Sequence, residues 1–312
     1  MALLFKKKNL SAGLSLEGGA FRLLTLSDGE GYGSVLKSAC GRFPKEILRS
    51  DDICENFDAV FKFVAEESGG ISTPVNLGLP VTESLLRVVD MPGLSLAEAK
   101  QAFKFEVENY FPFSESDCAY DLAEIDYPVG ENVSEKRFLV AAARKALLEN
   151  ITRAAASHGI RLASLEPSQI ALERAAGAEY GFDDACVYIY AGVGRSVVIL
   201  SWKGCGIFYG NIASGFGKMT ERGANDDEYA AMAASFSREV RSSLQFAMSR
   251  SRAFTVKTAY LFGFGASRQL SDMLADLTSL ENVTLIDVMK LHGICFEADG
   301  GGWETALGLA LR

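Results

Sequence analysis

SLAEAKQAFKFEVENYFPF, residues Ser95 to Phe113, decides how this chain is read. It has the pattern of an acidic amphipathic helix that stops at an aromatic-proline-aromatic step, Phe111-Pro112-Phe113. Ser95 and Glu98 have capping-box spacing, so each can satisfy a backbone donor that a first helical turn leaves without a partner. Pro112 has no N–H to donate and its ring restricts the residue before it, which ends the helix.

Outward from that helix, short apolar runs at Val75–Leu79, Leu85–Val89, Tyr120–Ile125 and Phe138–Ala143 read as strands. Arg144–His158 is predicted helical, with Leu147, Ile151, Ala154 and Ala155 on one stripe and Gly159 suited to the left-handed residue past its end. Ser168–Tyr180 is a second run of good helix formers. The first forty residues read as three strands: Leu14–Leu16 and Phe21–Leu26 flank Gly18-Gly19, and Gly31–Cys40 returns after Asp28-Gly29. Cys186–Tyr190, Ser196–Trp202 and Cys205–Asn211 repeat that layout around Lys203-Gly204. An internal echo of this kind predicts two similar domains facing each other. In the second, Glu228–Arg250 is a long helix whose Met232, Phe236, Val240, Leu244 and Met248 read as core packing. Thr258–Phe262 is a strand, Gly263–Ala266 a turn, Ser267–Leu277 a helix and Thr305–Leu311 a short closing helix.

The chain has 312 residues, more than one ordinary core holds, and is 48% hydrophobic and 23% charged, which is globular. A net charge of -9 argues against nucleic-acid binding, since polyphosphate attraction needs a basic surface. The basic run Lys6-Lys7-Lys8 reads as a solvated tail, with contact to anionic lipid as the alternative. The six cysteines, Cys40, Cys54, Cys118, Cys186, Cys205 and Cys295, include no Cys-x-x-Cys pair and read as small hydrophobes in a reducing compartment. The most apolar run, Ala185–Trp202, is broken by Arg195 and glycines and falls short of the ~20 residues a bilayer span needs. The start of the chain has charge but no apolar signal core. A cytoplasmic protein without a direct membrane span is expected, unless a partner holds it at the membrane.

Several segments together resemble the PilM family of type IV pilus assembly, actin-like proteins related to FtsA. They are Leu3-Leu4-Phe5-Lys6-Lys7-Lys8, Phe105–Phe113, Leu139-Val140-Ala141-Ala142-Ala143-Arg144-Lys145, Leu165-Glu166-Pro167, Arg238–Phe246 and Ala306–Arg312. Each is weak alone; their order along nearly the whole chain carries the resemblance. It implies an α/β fold of the two-domain actin/hexokinase/Hsp70 type with a small inserted α+β subdomain. The first domain is expected over residues 1–180, with a partner-binding insertion at about 82–160, and the second over 181–312, its closing helix packing back on the first. It also implies a scaffold of a type IV pilus or related type II secretion machine, peripheral to the inner membrane. Its implied partners are the short cytoplasmic N-terminal segment of a bitopic PilN-like protein and other pilus machinery subunits. The contact residues within 82–160 stay unassigned.

The superfold cradles ATP between its halves on Gly-rich turns whose amides face phosphate. This chain departs from that pattern. Ser15 stands at the position of a magnesium-organising aspartate, and Glu17, before Gly18 and Gly19, puts negative charge toward the phosphate position. In the second hairpin Tyr188 and Tyr190 replace an aspartate and a glycine, while Gly192 and Gly194 remain. Phe216 replaces a glycine in Gly215-Phe216-Gly217-Lys218, and Phe264 replaces one in Gly263-Phe264-Gly265. The expectation is a filled or uncharged cleft with no cofactor and no hydrolysis. The alternative is an ATP-binding protein or ATPase using magnesium, with Phe216 or Phe264 stacked on the base and Lys218 on phosphate. A filament-forming FtsA-like protein is the third reading.

Other chemistry finds little support. His158 and His292 are too few to argue for catalysis or metal binding, and His158 reads as a cap on a helix carbonyl. Asp226-Asp227-Glu228 reads as an acidic helix start, and Gly-Phe-Gly-Ala lacks the spacing of a dinucleotide fingerprint.

Overall fold

Two tight hairpins each seed a five-stranded sheet. In the first, β1 (Leu10–Glu17) and β2 (Ala20–Ser27) pair antiparallel across Gly18 and Gly19, whose φ values of +58° and +68° are the left-handed pair such a turn requires. β2 pairs with β3 (Ser34–Arg42), while β1 pairs in parallel with β6 (Val75–Leu79), and β6 with β10 (Leu162–Pro167). In the second, β11 (Ala185–Tyr190), β12 (Ser196–Trp202) and β13 (Cys205–Ile212) form the antiparallel run, and β14 (Thr258–Phe262) and β15 (Asn282–Leu285) the parallel one. The strand orders β10-β6-β1-β2-β3 and β13-β12-β11-β14-β15 are the same topology twice. The computed structural model describes residues 10–27, 34–50, 53–54, 56–91, 93–127, 137–177, 185–217, 226–249, 255–278, 280–294 and 301–312. Asp28-Gly29, Lys6–Lys8, Lys218 and Cys295 lie outside them.

Each sheet is covered by amphipathic helices. α1 (Phe57–Glu67) and α4 (Lys145–Ser157) bury Val60, Phe61, Val64, Ile151 and Ala155 against the first. On the second sheet lie α6 (Asp226–Ser249) and α7 (Arg268–Leu277). Phe236, Val240 and Leu244 of α6 are buried as expected, but Met232 and Met248 are only half-buried, and Ala233 and Ala247 take their places. A four-residue step overshoots the 3.6-residue turn, so a stripe spaced by fours leaves the core at both ends. Between the sheets lie α5 (Ser168–Ala176) and α9 (Glu304–Ala310), whose Leu172, Ala175, Trp303 and Leu307 share one core with Leu24, Tyr188, Val197 and Phe262.

The insertion is a sheet of order β7-β9-β8, from β7 (Ser84–Asp90), β8 (Cys118–Ile125) and β9 (Arg137–Arg144). Ser95 and Glu98 form the expected capping box: the Glu98 N–H donates to Ser95 Oγ at 3.4 Å and the Ser95 N–H to Glu98 Oε2 at 2.8 Å. The single helix expected up to Phe111 is broken, however, into α2 (Leu96–Phe103) and α3 (Val107–Tyr110). The turn between the helices leaves Phe105 77% exposed and returns Val107 and Phe111 to a core with Phe103, Leu122, Phe138 and Val140. α4 falls within the expected 82–160 insertion, but it packs with the first sheet, so the inserted sheet ends at Arg144.

Other differences are local. His158 Nε2 meets Asp58 Oδ1 at 2.9 Å instead of capping a carbonyl, and that bond holds the Asp58 carboxyl below its ordinary range. Cys118 and Cys186 are buried as read, whereas Cys40 is exposed on β3. α1, β10, β15, the small β4–β5 ladder (Leu48–Ser50, Ile53–Cys54) and α8 (Val288–Leu291) were not legible in the sequence. No described helix is long and apolar enough to cross a membrane.

Candidate functional site

The two hairpin turns meet between the sheets. A Cβ built on Gly18 would lie 2.7 Å from Val193 Cγ1, and one on Gly217 equally close. A Cβ on Gly215 would stand 2.3 Å from the Gly194 carbonyl carbon, and one on Gly192 2.0 Å from the Arg195 carbonyl oxygen. Contact between loops therefore accounts for these glycines. Phe216 is buried with its ring edge-on to Phe236, centroids 5.3 Å apart, and a Cβ on Gly265 would come within 2.1 Å of that ring. Gly263 lies against Tyr190, and Phe264 sits apart, half-buried beside Gly301. The space left between the turns is about 30 Å³, lined by Leu16, Glu17, Gly18, Tyr190, Val193 and Arg195 among others, about one water's share of liquid volume.

The cleft is also acidic. Thr305 Oγ1 donates to Glu17 Oε2 at 2.9 Å, and Arg22 Nη1 donates to the Glu17 backbone oxygen at 3.3 Å. Burial pushes the Glu17 carboxyl above its ordinary range, against the bond from Thr305 and the charge of Arg22. Burial likewise pushes Glu304 up to about 7, with Glu17 and Asp287 adding to the rise and Arg22 opposing it. Ser15 Oγ is buried without a hydrogen-bond partner. Twelve residues were singled out for this cleft. The structure draws Glu17, the 18–19 turn, Gly192, Gly194, Gly215, Phe216, Gly263 and Gly265 to one place, and leaves Ser15 on β1 and Phe264 to one side. As arranged, these groups do not fit a triphosphate with magnesium: the Glu17 carboxyl is buried at the cleft and contact between the turns leaves little room in it.

A second place has open volume. Side chains alternate across the inserted sheet. One face, with Val89, Phe138, Val140, Ala142 and Leu122, is buried under α2 and α3. The other carries Leu86, Leu139, Ala141, Ala119 and Ala123 toward the main domains. Its alanines are too short to reach across, and a trough results. One cavity of about 180 Å³ lies among Leu79, Ala119, Tyr120, Ala141, Leu148 and Leu165. Another of about 620 Å³ is bounded by Ala123, Ile125, Leu139, Ile170, Glu173 and Tyr209. A third, also about 620 Å³, lies among Leu86, Tyr110, Arg137, Leu139, Tyr209 and Phe246. The last two share Leu139 and Tyr209, and β7 and β8 are the outer strands of their sheet. The alternation of β9 held part of the signal for this trough, since it puts Phe138 and Val140 on the buried face and Ala141 and Ala143, with Leu139, on the other.

The doubled sheet, the two helices between its halves and the inserted subdomain give the chain an α/β fold of the actin-like type. The chain superposes on a chain of the solved PilM–PilN type IV pilus biogenesis complex with a TM-score of 0.78, at 20% identity, over 97% of this chain and 98% of that one. The cytoplasmic domain of EpsL, an inner-membrane component of the type II secretion system of Vibrio cholerae, matches at 12% identity and TM-score 0.49, over 92% and 93% of the two chains. The ethanolamine utilization protein EutJ of Carboxydothermus hydrogenoformans matches at 14% identity and TM-score 0.46, over 97% and 89%. No protein-family model and no curated protein matches the chain.

Proposed function

We propose that this protein is a non-catalytic scaffold of a type IV pilus or related secretion machine. It works on the cytoplasmic side of the inner membrane and docks onto the short N-terminal segment of a PilN-like membrane protein. The observation that carries this reading is the trough between the inserted sheet and the main domains, largely apolar and flanked by an outer strand on which an extended segment can lie. The likeness in fold to the PilM–PilN complex supports it. Titration of a synthetic cytoplasmic segment of the partner is expected to give saturable binding, and Ala141→Arg, which puts a long cation on the trough floor, to weaken it more than tenfold. Absence of binding at high micromolar peptide would refute the reading.

The cleft is proposed to work without nucleotide, on the strength of the contact between its turns and the carboxylate of Glu17. Millimolar magnesium-ATP is expected to leave the melting temperature unchanged. A ligand at one hundred times its Kd adds about 2.7 kcal/mol to the native state, so even weak binding would be visible as an upshift.

A further inference from the structure

One carboxylate in the trough has no ion pair among the described residues. Glu173 projects from α5 into the cavity of about 620 Å³ beside β8. Its Oε2 accepts a hydrogen bond from the Tyr209 hydroxyl. A Cβ on Gly206 would lie 2.5 Å from the same oxygen, so the glycine lets the start of β13 close on the carboxylate. The neighbouring Arg174 is committed elsewhere: it donates to both oxygens of Glu166, at 2.7 and 3.1 Å, and to the Gly308 carbonyl at 2.7 Å. Among the described residues no Lys, Arg or His forms an ion pair with Glu173. Burial holds its carboxyl up at about 7, against the Tyr209 hydroxyl, the Gly206 N–H and the charge of Arg174. Arg174, His292 and Glu124 also line the cavity, but on one side Ala123, Ile125, Leu139 and Ile170 give it an apolar wall that suits the methylene stem of a long cationic side chain.

We propose that Glu173 is the receptor for a lysine or arginine side chain of the segment that docks in the trough. This rests on the docking reading above. Charge complementarity supports it: the chain carries a net charge of -9, and cytoplasmic segments beside a membrane span are enriched in Lys and Arg. The cation enters beside β8 and pairs with the carboxylate, while Tyr209 and Gly206 keep that carboxylate turned to the cavity. Glu173 thereby sets which segment is accepted, since a segment with a neutral side chain there leaves the carboxylate desolvated without a partner.

The test is a cycle of four titrations by calorimetry. The synthetic cytoplasmic segment of the PilN-like partner, and a copy with every Lys and Arg replaced by norleucine, are each titrated into wild type and Glu173→Gln. Gln keeps an acceptor for Tyr209. Either change alone is expected to weaken binding about tenfold, and both together no further. Glu173→Asp is expected to restore part of the preference for the cationic segment. If Glu173→Gln binds the two segments with the same ratio as wild type, Glu173 is only a tie between α5 and β13, and the proposal is overturned while docking stands. If neither segment binds wild type, the docking reading itself fails and takes this proposal with it.

Discussion

Gly308→Val is expected to yield no stably folded protein. α9 approaches α5 at backbone distance: a Cβ at position 308 would stand 1.8 Å from the Ala171 carbonyl oxygen. On the opposite side, a Cβ on Gly13 of β1 would come 2.1 Å from the Ala306 carbonyl oxygen, so α9 is wedged between helix and strand and cannot step aside. Its carbonyls are also tied. Asn76 Nδ2 donates to Leu309 O at 3.0 Å and Arg174 Nη1 to Gly308 O, while Arg312 reaches Glu166 at 3.1 Å. Overpacking against mobile side chains costs about 1–3 kcal/mol, but here the obstacle is backbone on both sides. Expelling α9 would also uncover Trp303 and Leu307 from the core between the domains. A loss above about 5 kcal/mol follows, comparable with the whole stability of many domains. Far-UV circular dichroism and a thermal melt read the result. Gly69→Ala is the control, since its Cβ meets nothing within 4 Å and it bears only the strain of a φ of +67°. A Gly308→Val melting temperature within a few degrees of wild type would mean that α9 is not seated as described.

Much of this architecture was legible because local and global patterns agree. The two strand–turn–strand series sit at glycine pairs or Lys-Gly steps that admit positive φ, and their repetition exposed the duplication. What escaped had weaker local marks. α1 begins at Asn56, whose Oδ1 accepts from the Ala59 N–H at 3.2 Å, and its Phe57, Val60, Phe61 and Val64 have helical spacing, but the stretch stood between stronger signals. β10 and β15 are short parallel strands whose partners lie far away in sequence, so no turn announces them. Part of the cleft was readable as bulk in place of glycine, because Phe216 and Glu17 differ from a familiar pattern. Its collapse depends on Val193 touching Gly18 of the other domain and Gly217 of its own, which no local reading contains. The trough belongs to the same class. The alternation of β9 was visible, but which face would stay uncovered depends on where α2 and α3 fold.

The buried acids should invert the usual response to pH, so that the protein becomes more stable as the solution is acidified from pH 8 to about 5.5. Glu173 and Glu304 are both held at about 7 by burial. The ordinary value for a glutamate is 4.5, which the unfolded chain is taken to keep. Below 4.5 both states hold these protons and the groups contribute no difference. Between 4.5 and 7 the folded state keeps protons that the unfolded chain releases, so stability falls as pH rises. Above 7 both states are ionised and the full penalty of a buried charge remains, on the order of 3 kcal/mol for each group. The groups that work the other way, Asp58 and Asp121, have lowered carboxyl pKa values, and their contribution is lost only at more acid pH, below this window. Relief of repulsion among the excess negative charges acts in the same direction as the two glutamates, so the assignment needs variants. Glu304→Gln and Glu173→Gln remove the titrating proton and nearly preserve shape. Each is expected to raise stability at pH 8 and to reduce the slope, and the double variant to leave only the parts due to Glu17, whose carboxyl burial also raises, and to net charge. Urea denaturation across pH 5.5 to 8 measures it. A wild-type profile that is flat or rises with pH would contradict the burial of these carboxylates. A double variant with an unchanged slope would move its cause to Glu17 or to the surface charge.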